Sequence, residues 1–520
     1  MGDAASRGTR RFGPLDWLDR IRLTGPNTDL RQGLERDILP EYLVRCRWYA
    51  AKDVGPPLVE IIDVVTCPQP IDDTVLTLLR VTPPGREPQR YVLPLALAWA
   101  DEGGLPERYI ARVKCDARLA ALIDSFEADR VVRGLLDAML AADPAAPRVA
   151  PMAFGRTAAL AAHLPRLAKA GVERIAAEQS NTSVRFADVA ILKLFRRLEP
   201  GIHPELEIGR FLTEAGFANA PQLLGWIELH PSGSDPVVLG VLQELVPDAT
   251  DGWSFVLRRL RDYARSEAAA SPTEAPMLDL ARQLGQRTAE LHRTFAAQSE
   301  DPAFAPEPVT PVMLRAWRDG VRAMAASALG ALAQAAPRLP PATRGQVDVV
   351  LAQREQLLER IDTLLPESVD AVCTRLHGDF HLGQVLVANG DVFIIDFEGE
   401  PMRPLEERRG KQAPLRDVAG MLRSFAYAAA TIRIELGGGI EDSWLDAWAA
   451  ATSTAFLDAY HARMAGSGSL PADLADRERL LQLFLLEKAL YEVHYELANR
   501  PDWLGIPVAG VLALLGWNSA

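Results

Sequence analysis

A chain of 520 residues can bury a large core and divide into two or three substructures. Its 48% hydrophobic and 24% charged residues are those of an ordinary globular protein, and its formal charge of −13 excludes broad binding to nucleic acid or anionic membranes, which need a basic face. Four scattered cysteines (Cys46, Cys67, Cys115, Cys373) with no CxxC pair read as reduced thiols of a cytoplasmic protein.

Residues 1–15 are basic without an apolar h-region, so they read as a disordered tail and not a secretory signal. Asp16 to about Lys52 has helical spacing, with Ile38, Tyr42, Leu43 and Trp48 apolar. Leu58–Val65, Thr74–Val81 and Tyr91–Trp99 are β-branched and apolar runs separated by turn signals, and Tyr109–Val113 adds another. They predict a small antiparallel sheet in an N-terminal subdomain, 16–110. Leu119–Leu140 returns to helical spacing, and an Ala/Pro-rich stretch around 142–151 closes an intermediate segment, 111–152.

A second β-rich region spans 153–246. Strands at Val172–Glu178 and Val189–Phe195 flank a turn, Gln179–Ser183, with Val184–Phe186 following it. Ser180, Asn181, Thr182 and Ser183 offer hydroxyls and N–H groups to phosphates in place of a glycine-rich loop. Lys193 lies in the apolar strand Ala190–Phe195, where a lysine needs an anionic partner. The next helix, Pro204–Ala215, carries Glu205 and Glu207; Glu207 is preferred, although sequence does not fix the register. Strands Leu223–Leu229 and Val237–Leu245 lead into Val246-Pro247-Asp248, whose backbone from Glu244 to Val246 suits an adenine edge. From 247 to 520 the spacing is almost entirely helical: Ser254–Ala264, Leu278–Ala297, Val312–Ala328, Gly345–Leu365, Leu415–Leu436, Ser443–Ala465 and Leu470–Asn499, with Ala331–Ala342 as a linker. The longest apolar run, Ile506–Trp517, is too short to span a bilayer.

One stretch interrupts the helices. Gln384–Ala388 and Val392–Ile395 flank Asn389-Gly390, a strong hairpin signal. His377-Gly-Asp379-Phe-His381-Leu-Gly-Gln384 enters the hairpin and Asp396-Phe-Glu398 leaves it, which gathers Asp379, Gln384 and Asp396 at one end. That set suits phosphoryl transfer: one carboxylate orients and deprotonates a hydroxyl, while a carboxylate and an amide hold Mg²⁺ against the phosphates of ATP. Protein kinases space an Asn five residues after the catalytic Asp, as Gln384 follows Asp379 here, and pair a strand lysine with a helix glutamate. Asp417 reads as a cap for the helix beginning near Leu415, and His377 and His381 as residues that orient the loop.

The whole pattern resembles the maltokinase family within the aminoglycoside phosphotransferase-like kinases. Five stretches carry the resemblance: Arg47–Asp53; Ser180–Ser183 with Ile191–Arg197; His377–Gln384; Ile395–Pro401 with Leu415–Gly420; and Glu487–Glu496 with Asn499–Pro501. The resemblance implies an α+β, bilobal, protein-kinase-like fold: an N-terminal cap, a nucleotide-binding N-lobe and a mainly helical C-lobe. It implies phosphorylation of maltose at the anomeric hydroxyl by ATP, giving maltose 1-phosphate for α-glucan synthesis, with trehalose synthase as a partner enzyme. Carried over, Asp379 is the base, Gln384 and Asp396 bind Mg²⁺, Lys193 and Glu207 clamp phosphates, and Glu244 to Val246 meet adenine.

For the sugar, Tyr491 and Tyr495 lie one turn apart beside Glu492 and offer aromatic surface with hydrogen-bond acceptors; Lys488 reads as an ordinary i,i+4 partner of Glu492. His381, Arg403 and Lys411 complete the expected substrate contacts. The glutamates near the sugar keep a second acceptor class open, an amino sugar such as glucosamine or an aminoglycoside. A nucleotide-binding pseudokinase is the reading from another class, opposed by intact Lys193, Asp379, Gln384 and Asp396.

Overall fold

The computed structural model describes residues 10–12, 29–115, 118–142, 151–175, 180–231, 235–265, 277–401, 403–437 and 441–516. The chain forms two compact units, one of Met1–Thr213 with Pro221–Leu245 and one of Glu214–Ala220 with Val246–Ala520. The architecture is α+β and kinase-like, with the strands concentrated in the first unit and the helices in the second.

The first unit contains two six-stranded sheets. One is built from β1 (Arg10–Phe12), β2 (Leu58–Thr66), β3 (Val75–Thr82), β4 (Gln89–Trp99), β5 (Ala111–Cys115) and β6 (Arg118–Asp124), in the order β1-β5-β6-β4-β3-β2. All its pairs are antiparallel except β1 with β5. Part of the expected disordered tail, residues 10–12, is therefore a strand; the rest of 1–15 lies outside the described residues. The expected helix start at Leu119 is also corrected. Ala120, Ala121 and Leu122 are buried in β6 between β4 and β5, so two-sided pairing overrides the helix propensity of alanine and leucine. The helix α1 begins only at Asp129 and runs to Ala141.

The second sheet comprises β7 (Met152–Arg156), β8 (Val172–Arg174), β9 (Asn181–Phe186), β10 (Ala190–Phe195), β11 (Leu223–Leu229) and β12 (Val237–Glu244), all antiparallel, in the order β7-β11-β12-β10-β9-β8. Asn181, Thr182 and Ser183 do not form a turn. They pair with Phe195, Leu194 and Lys193 in the β9–β10 ladder. Residues 176–179, where β8 was expected to continue, lie outside the described residues.

Both sheets share one core. Val132, Leu135 and Met139 of α1 cluster with Leu76, Leu78 and Val92 of the first sheet and with Leu192, Leu223 and Trp226 of the second. A buried ion pair crosses the same junction. Arg196 is fully buried, 2.9 Å from Asp124 at the end of β6. Its Nε donates to the Thr182 hydroxyl at 2.8 Å, and its guanidinium lies over Phe126 at 4.8 Å and Trp48 at 5.0 Å. The N–H of Val92 donates to the Arg196 carbonyl and that of Leu198 to the Arg90 carbonyl, both at 2.9 Å, so backbone holds the arginine in place.

In the second unit, β13 (Thr250–Asp251), β16 (Val385–Ala388) and β17 (Asp391–Ile394) form one small sheet, and β14 (Glu307–Pro308) with β15 (Val372–Cys373) another. Helices make up the rest, among them α2 (Met277–Phe295), α3 (Leu415–Leu436), α4 (Asp442–Met464) and α5 (Leu474–Asn499). Gly285 of α2 allows a close approach: a Cβ there would stand 2.2 Å from the Phe456 carbonyl of α4. The single helix expected at Gly345–Leu365 is two, Pro341–Ala352 and Arg354–Thr363, and the helix Pro311–Ala335 runs into the expected linker. Among the described residues no helix is long and apolar enough to cross a membrane.

Removing one partner of a buried ion pair strands the other charge, so Asp124→Ala should cost about 3 kcal/mol of stability. Chemical denaturation followed by tryptophan fluorescence measures it, and a change below about 1 kcal/mol contradicts the anchoring role given to Arg196.

Candidate active site

The hairpin that carries the site is set by its turn. Asn389 and Gly390 have φ of 52° and 74°, and the register pairs Ala388 with Asp391, which makes a two-residue loop of the type that matches strand twist. At the open end the Ile395 N–H donates to the Gln384 carbonyl at 3.0 Å, so Gln384 stands beside the exit to Asp396. Asp396 adopts φ of 66°, a left-handed conformation uncommon for a residue with a Cβ and typical of functional positions.

The loop between His377 and Gln384 is held from two directions. His377 Nε2 donates to the Ile395 carbonyl at 2.8 Å, and its Nδ1 accepts from the Asp379 N–H at 3.3 Å, which fixes one tautomer. Its ring lies against Phe380 and Phe397. Asp417 supplies the second hold. Its carboxylate accepts from the N–H groups of His377 and Gly378, both at 2.9 Å, and from His292 Nε2 at 3.1 Å. His292 Nδ1 meets the Tyr460 hydroxyl at 2.9 Å. Asp417 therefore does not cap α3; the helix starts at Leu415 after Pro414 with no side-chain cap, and the carboxylate anchors the loop instead.

Asp379 faces Lys488 of α5. The lysine Nζ donates to Asp379 Oδ1 at 3.0 Å and to Glu400 Oε1 at 2.7 Å. Burial pushes the Asp379 carboxyl upward, but Lys488 and His381 outweigh it and hold the group below the usual carboxylate range. Burial opposes the Lys488 charge, yet Asp379 and Glu400 raise its pKa well above the ordinary lysine value. His381 accepts the Gly383 N–H on Nδ1 at 3.0 Å, which leaves Nε2 protonated and 3.9 Å from Asp379 Oδ2. Burial lowers the His381 pKa, so the ring is neutral at pH 7.

A cavity opens at this point, lined among others by Asp379, Glu400, Arg403, Arg416, Lys488 and Tyr491. Of the expected sugar contacts, Tyr491 and Arg403 line it; Arg403 also bonds Glu400 and Glu487. Of the other four, His381 stands 3.9 Å from Asp379 without lining the cavity, and three lie elsewhere. Glu492 receives two bonds from Arg423, at 2.9 and 2.7 Å. Lys411 is tied to Glu307 at 2.5 Å and to the Pro302 carbonyl at 2.7 Å. Tyr495 is 39% exposed with Arg500 over its ring. Lys488 is not a surface partner of Glu492 but is paired with Asp379 and Glu400. The helix gave the signal: Leu480, Leu481, Leu483, Phe484, Leu486, Ala489 and Leu490 are buried around it, leaving a charge at 488 little solvent face.

In the β-rich unit, Lys193 is buried opposite Val241, and Ile191 stands opposite Gln243, so these four side chains share one sheet face. Gln243 Nε2 donates to Glu205 Oε1 at 2.8 Å, which puts Glu205 over that face. Glu207 is buried as well. Thr182 accepts from Arg196, and the N–H groups of Glu244 and Leu245 donate to the carbonyls of Gln222 and Val189 at 2.9 Å.

Fold and site together define a phosphotransferase of the kinase-like class. The profile of the phosphotransferase enzyme family matches residues 171–466, and that of the maltokinase N-terminal cap domain matches residues 42–126. The chain belongs to the phosphotransferase enzyme family and carries a maltokinase-type N-terminal cap domain. A glucosamine kinase of Streptacidiphilus jiangxiensis is 30% identical over 349 residues, 66% of this chain and 74% of that protein. A glucosamine kinase of Mycolicibacterium smegmatis is 30% identical over the same length, 80% of its own chain. The solved structure of a glucosamine kinase in complex with glucosamine, ADP and inorganic phosphate shares the fold, with a TM-score of 0.62, 23% identity, and coverage of 96% of this chain and 99% of the other.

The Asp417 anchor generates a test. Burial pushes its carboxyl up, but the bond and charge of His292 with His377 and the Gly378 N–H hold it below the usual range. A depressed carboxyl contributes stability that is fully present above its unfolded value, about pH 4, and is lost as the pH falls through its lower folded value. Asp417→Ala should cost about 3 kcal/mol at pH 7, flatten the acid limb of stability against pH, and lower kcat about 100-fold with nucleotide affinity kept. Unchanged kcat in the folded variant contradicts the anchor.

Proposed function

We propose that the protein transfers the γ-phosphate of ATP to the anomeric hydroxyl of maltose, giving maltose 1-phosphate. The observation that carries the choice of a neutral acceptor is the charge pairing of the cavity. Asp379 and Glu400 hold Lys488, Glu487 holds Arg403 and Arg416, Glu407 lies 3.6 Å from Arg403, and Asp417 holds His292. An ammonium group of an acceptor finds its natural partners already occupied. Hydroxyls do not, because they hydrogen-bond to paired carboxylates and guanidinium groups without displacing either.

In this reading Asp379 orients the sugar hydroxyl and takes its proton, a role its lowered pKa suits by keeping it ionised at neutral pH. Lys193 with Glu207 or Glu205 forms the phosphate clamp, Asn181 and Ser183, on the Lys193 face of the sheet, border the phosphates, and Glu244 and Val246 meet adenine through backbone. Gln384 and Asp396 fit Mg²⁺, since an amide carbonyl and a carboxylate are the hard oxygen donors it takes. Bound there, the ion would neutralise phosphate charge. Tyr491 and Arg403 offer the sugar an aromatic face and hydrogen-bond donors. The product would enter α-glucan synthesis in the cytoplasm, with trehalose synthase as the partner enzyme.

The second reading is phosphorylation of glucosamine, favoured by what the two curated relatives are named for. ADP release from Mg·ATP across maltose, glucose, trehalose, glucosamine and an aminoglycoside decides between them. Selective turnover of maltose with phosphate on the anomeric carbon is expected, and selective turnover of glucosamine overturns the reading. Asp379→Asn should lower kcat roughly a thousandfold and leave ATP binding intact.

A further inference from the structure

We infer that Lys488 is a specificity-determining residue, a cation built into the acceptor pocket that makes it accept uncharged sugars and turn away amino sugars. The inference rests on the reading of this cavity as the acceptor site and deepens it. Asp379 and Glu400 come from different segments, the loop after β15 and the segment after β17, and both aim a carboxylate at the same ammonium, at 3.0 and 2.7 Å. Two carboxylates converging in a buried pocket form a cation site whatever fills it. Here the chain fills it with its own side chain, delivered by a helix that is apolar on either side of the residue.

The surrounding groups leave Lys488 no other place to go. Its Nζ also lies 4.9 Å over the Tyr491 ring, so the aromatic face that would carry a sugar carries the ammonium too. Arg403 holds the other side of Glu400 and Glu487, Glu492 is held by Arg423, and the neutral His381 stands beyond Asp379. An acceptor reaching Asp379 therefore places its substituents next to a fixed positive charge. A hydroxyl there accepts a hydrogen bond from the ammonium, whereas an ammonium meets like charge with both carboxylates engaged. This is specificity by a repulsive element, separate from any attraction for the correct sugar.

The test compares glucose with glucosamine, which differ by one hydroxyl-to-amine exchange, in wild type, Lys488→Met and Lys488→Arg. The ratio of kcat/KM for glucosamine over glucose should rise about tenfold or more in Lys488→Met and stay near wild type in Lys488→Arg. Lys488→Met leaves two buried carboxylates without a cation. Should it fail to fold, Lys488→Met with Glu400→Gln removes one of those charges and should show the same rise. A wild-type measurement needs no variant: competition by glucosamine against the turned-over sugar should strengthen as the pH passes the pKa of the glucosamine amine, while competition by glucose stays flat. A folded, ATP-binding variant with the wild-type ratio, or pH-independent competition by glucosamine, overturns the inference. Turnover of a neutral sugar other than maltose overturns only the maltose reading and leaves the role of Lys488 standing.

Discussion

The carboxylate of Asp417 organises the catalytic region. It is 2% exposed and collects two backbone N–H groups and an imidazole N–H. A charge so buried is tolerable only when its acceptor sites are filled, so the loop has little freedom to move without stranding it. The positive φ of Gly378, 84°, turns the chain so that consecutive N–H groups converge on one carboxylate. Asp379 follows at once, and its direction is inherited from a bond network in which it takes part only through its own N–H. His377 closes that network across to Ile395, so loop and hairpin form a single rigid element.

How much of this was legible follows from how local each feature is. The Asn389-Gly390 hairpin and the spacing of Asp379, Gln384 and Asp396 are properties of some twenty consecutive residues, and they read directly. The face shared by Ile191 and Lys193 was also legible, because a strand alternates with a fixed period. The bond between Glu205 and Gln243 was not. It depends on the register of β12 against β10, which puts Gln243 opposite Ile191, and that pairing joins residues some fifty positions apart. Strand β6 was misread for a similar reason: Leu119 to Leu122 are good helix formers, and only the strands on either side make them extended.

The cap shows the same division. Its apolar runs announced strands, yet nothing in them announced that Asp124 would be buried against Arg196 from the neighbouring sheet. Arg196 lies in a motif of the family resemblance, Ile191–Arg197, where it follows the lysine strand and looks like surface charge. Between Phe126 and Trp48, with backbone bonds on either side, it works instead as the joint between two sheets that share one core. The cap and the nucleotide-binding strands are consequently one compact unit, although the pattern of the sequence divides them.

Charge pairing also explains why the proposed acceptor cavity was the least legible part. Helix α5 presents Glu487, Lys488, Glu492 and Glu496, and a ladder of three acids and one base reads as a surface that attracts cations. Each acid is in fact engaged by an arginine from elsewhere: Glu487 by Arg403 and Arg416, Glu492 by Arg423, and Glu496 by Arg500 one turn further along. Three of those arginines are distant in sequence, so the net character of the pocket depends on contacts that helical spacing does not encode. The acids cost desolvation energy on burial, and the arginines offset it while fixing the geometry, which leaves α5 rigid. A rigid wall of paired charges recognises a ligand by the directions of its hydrogen bonds more than by its charge, and a polyhydroxylated sugar is the ligand whose groups supply those directions.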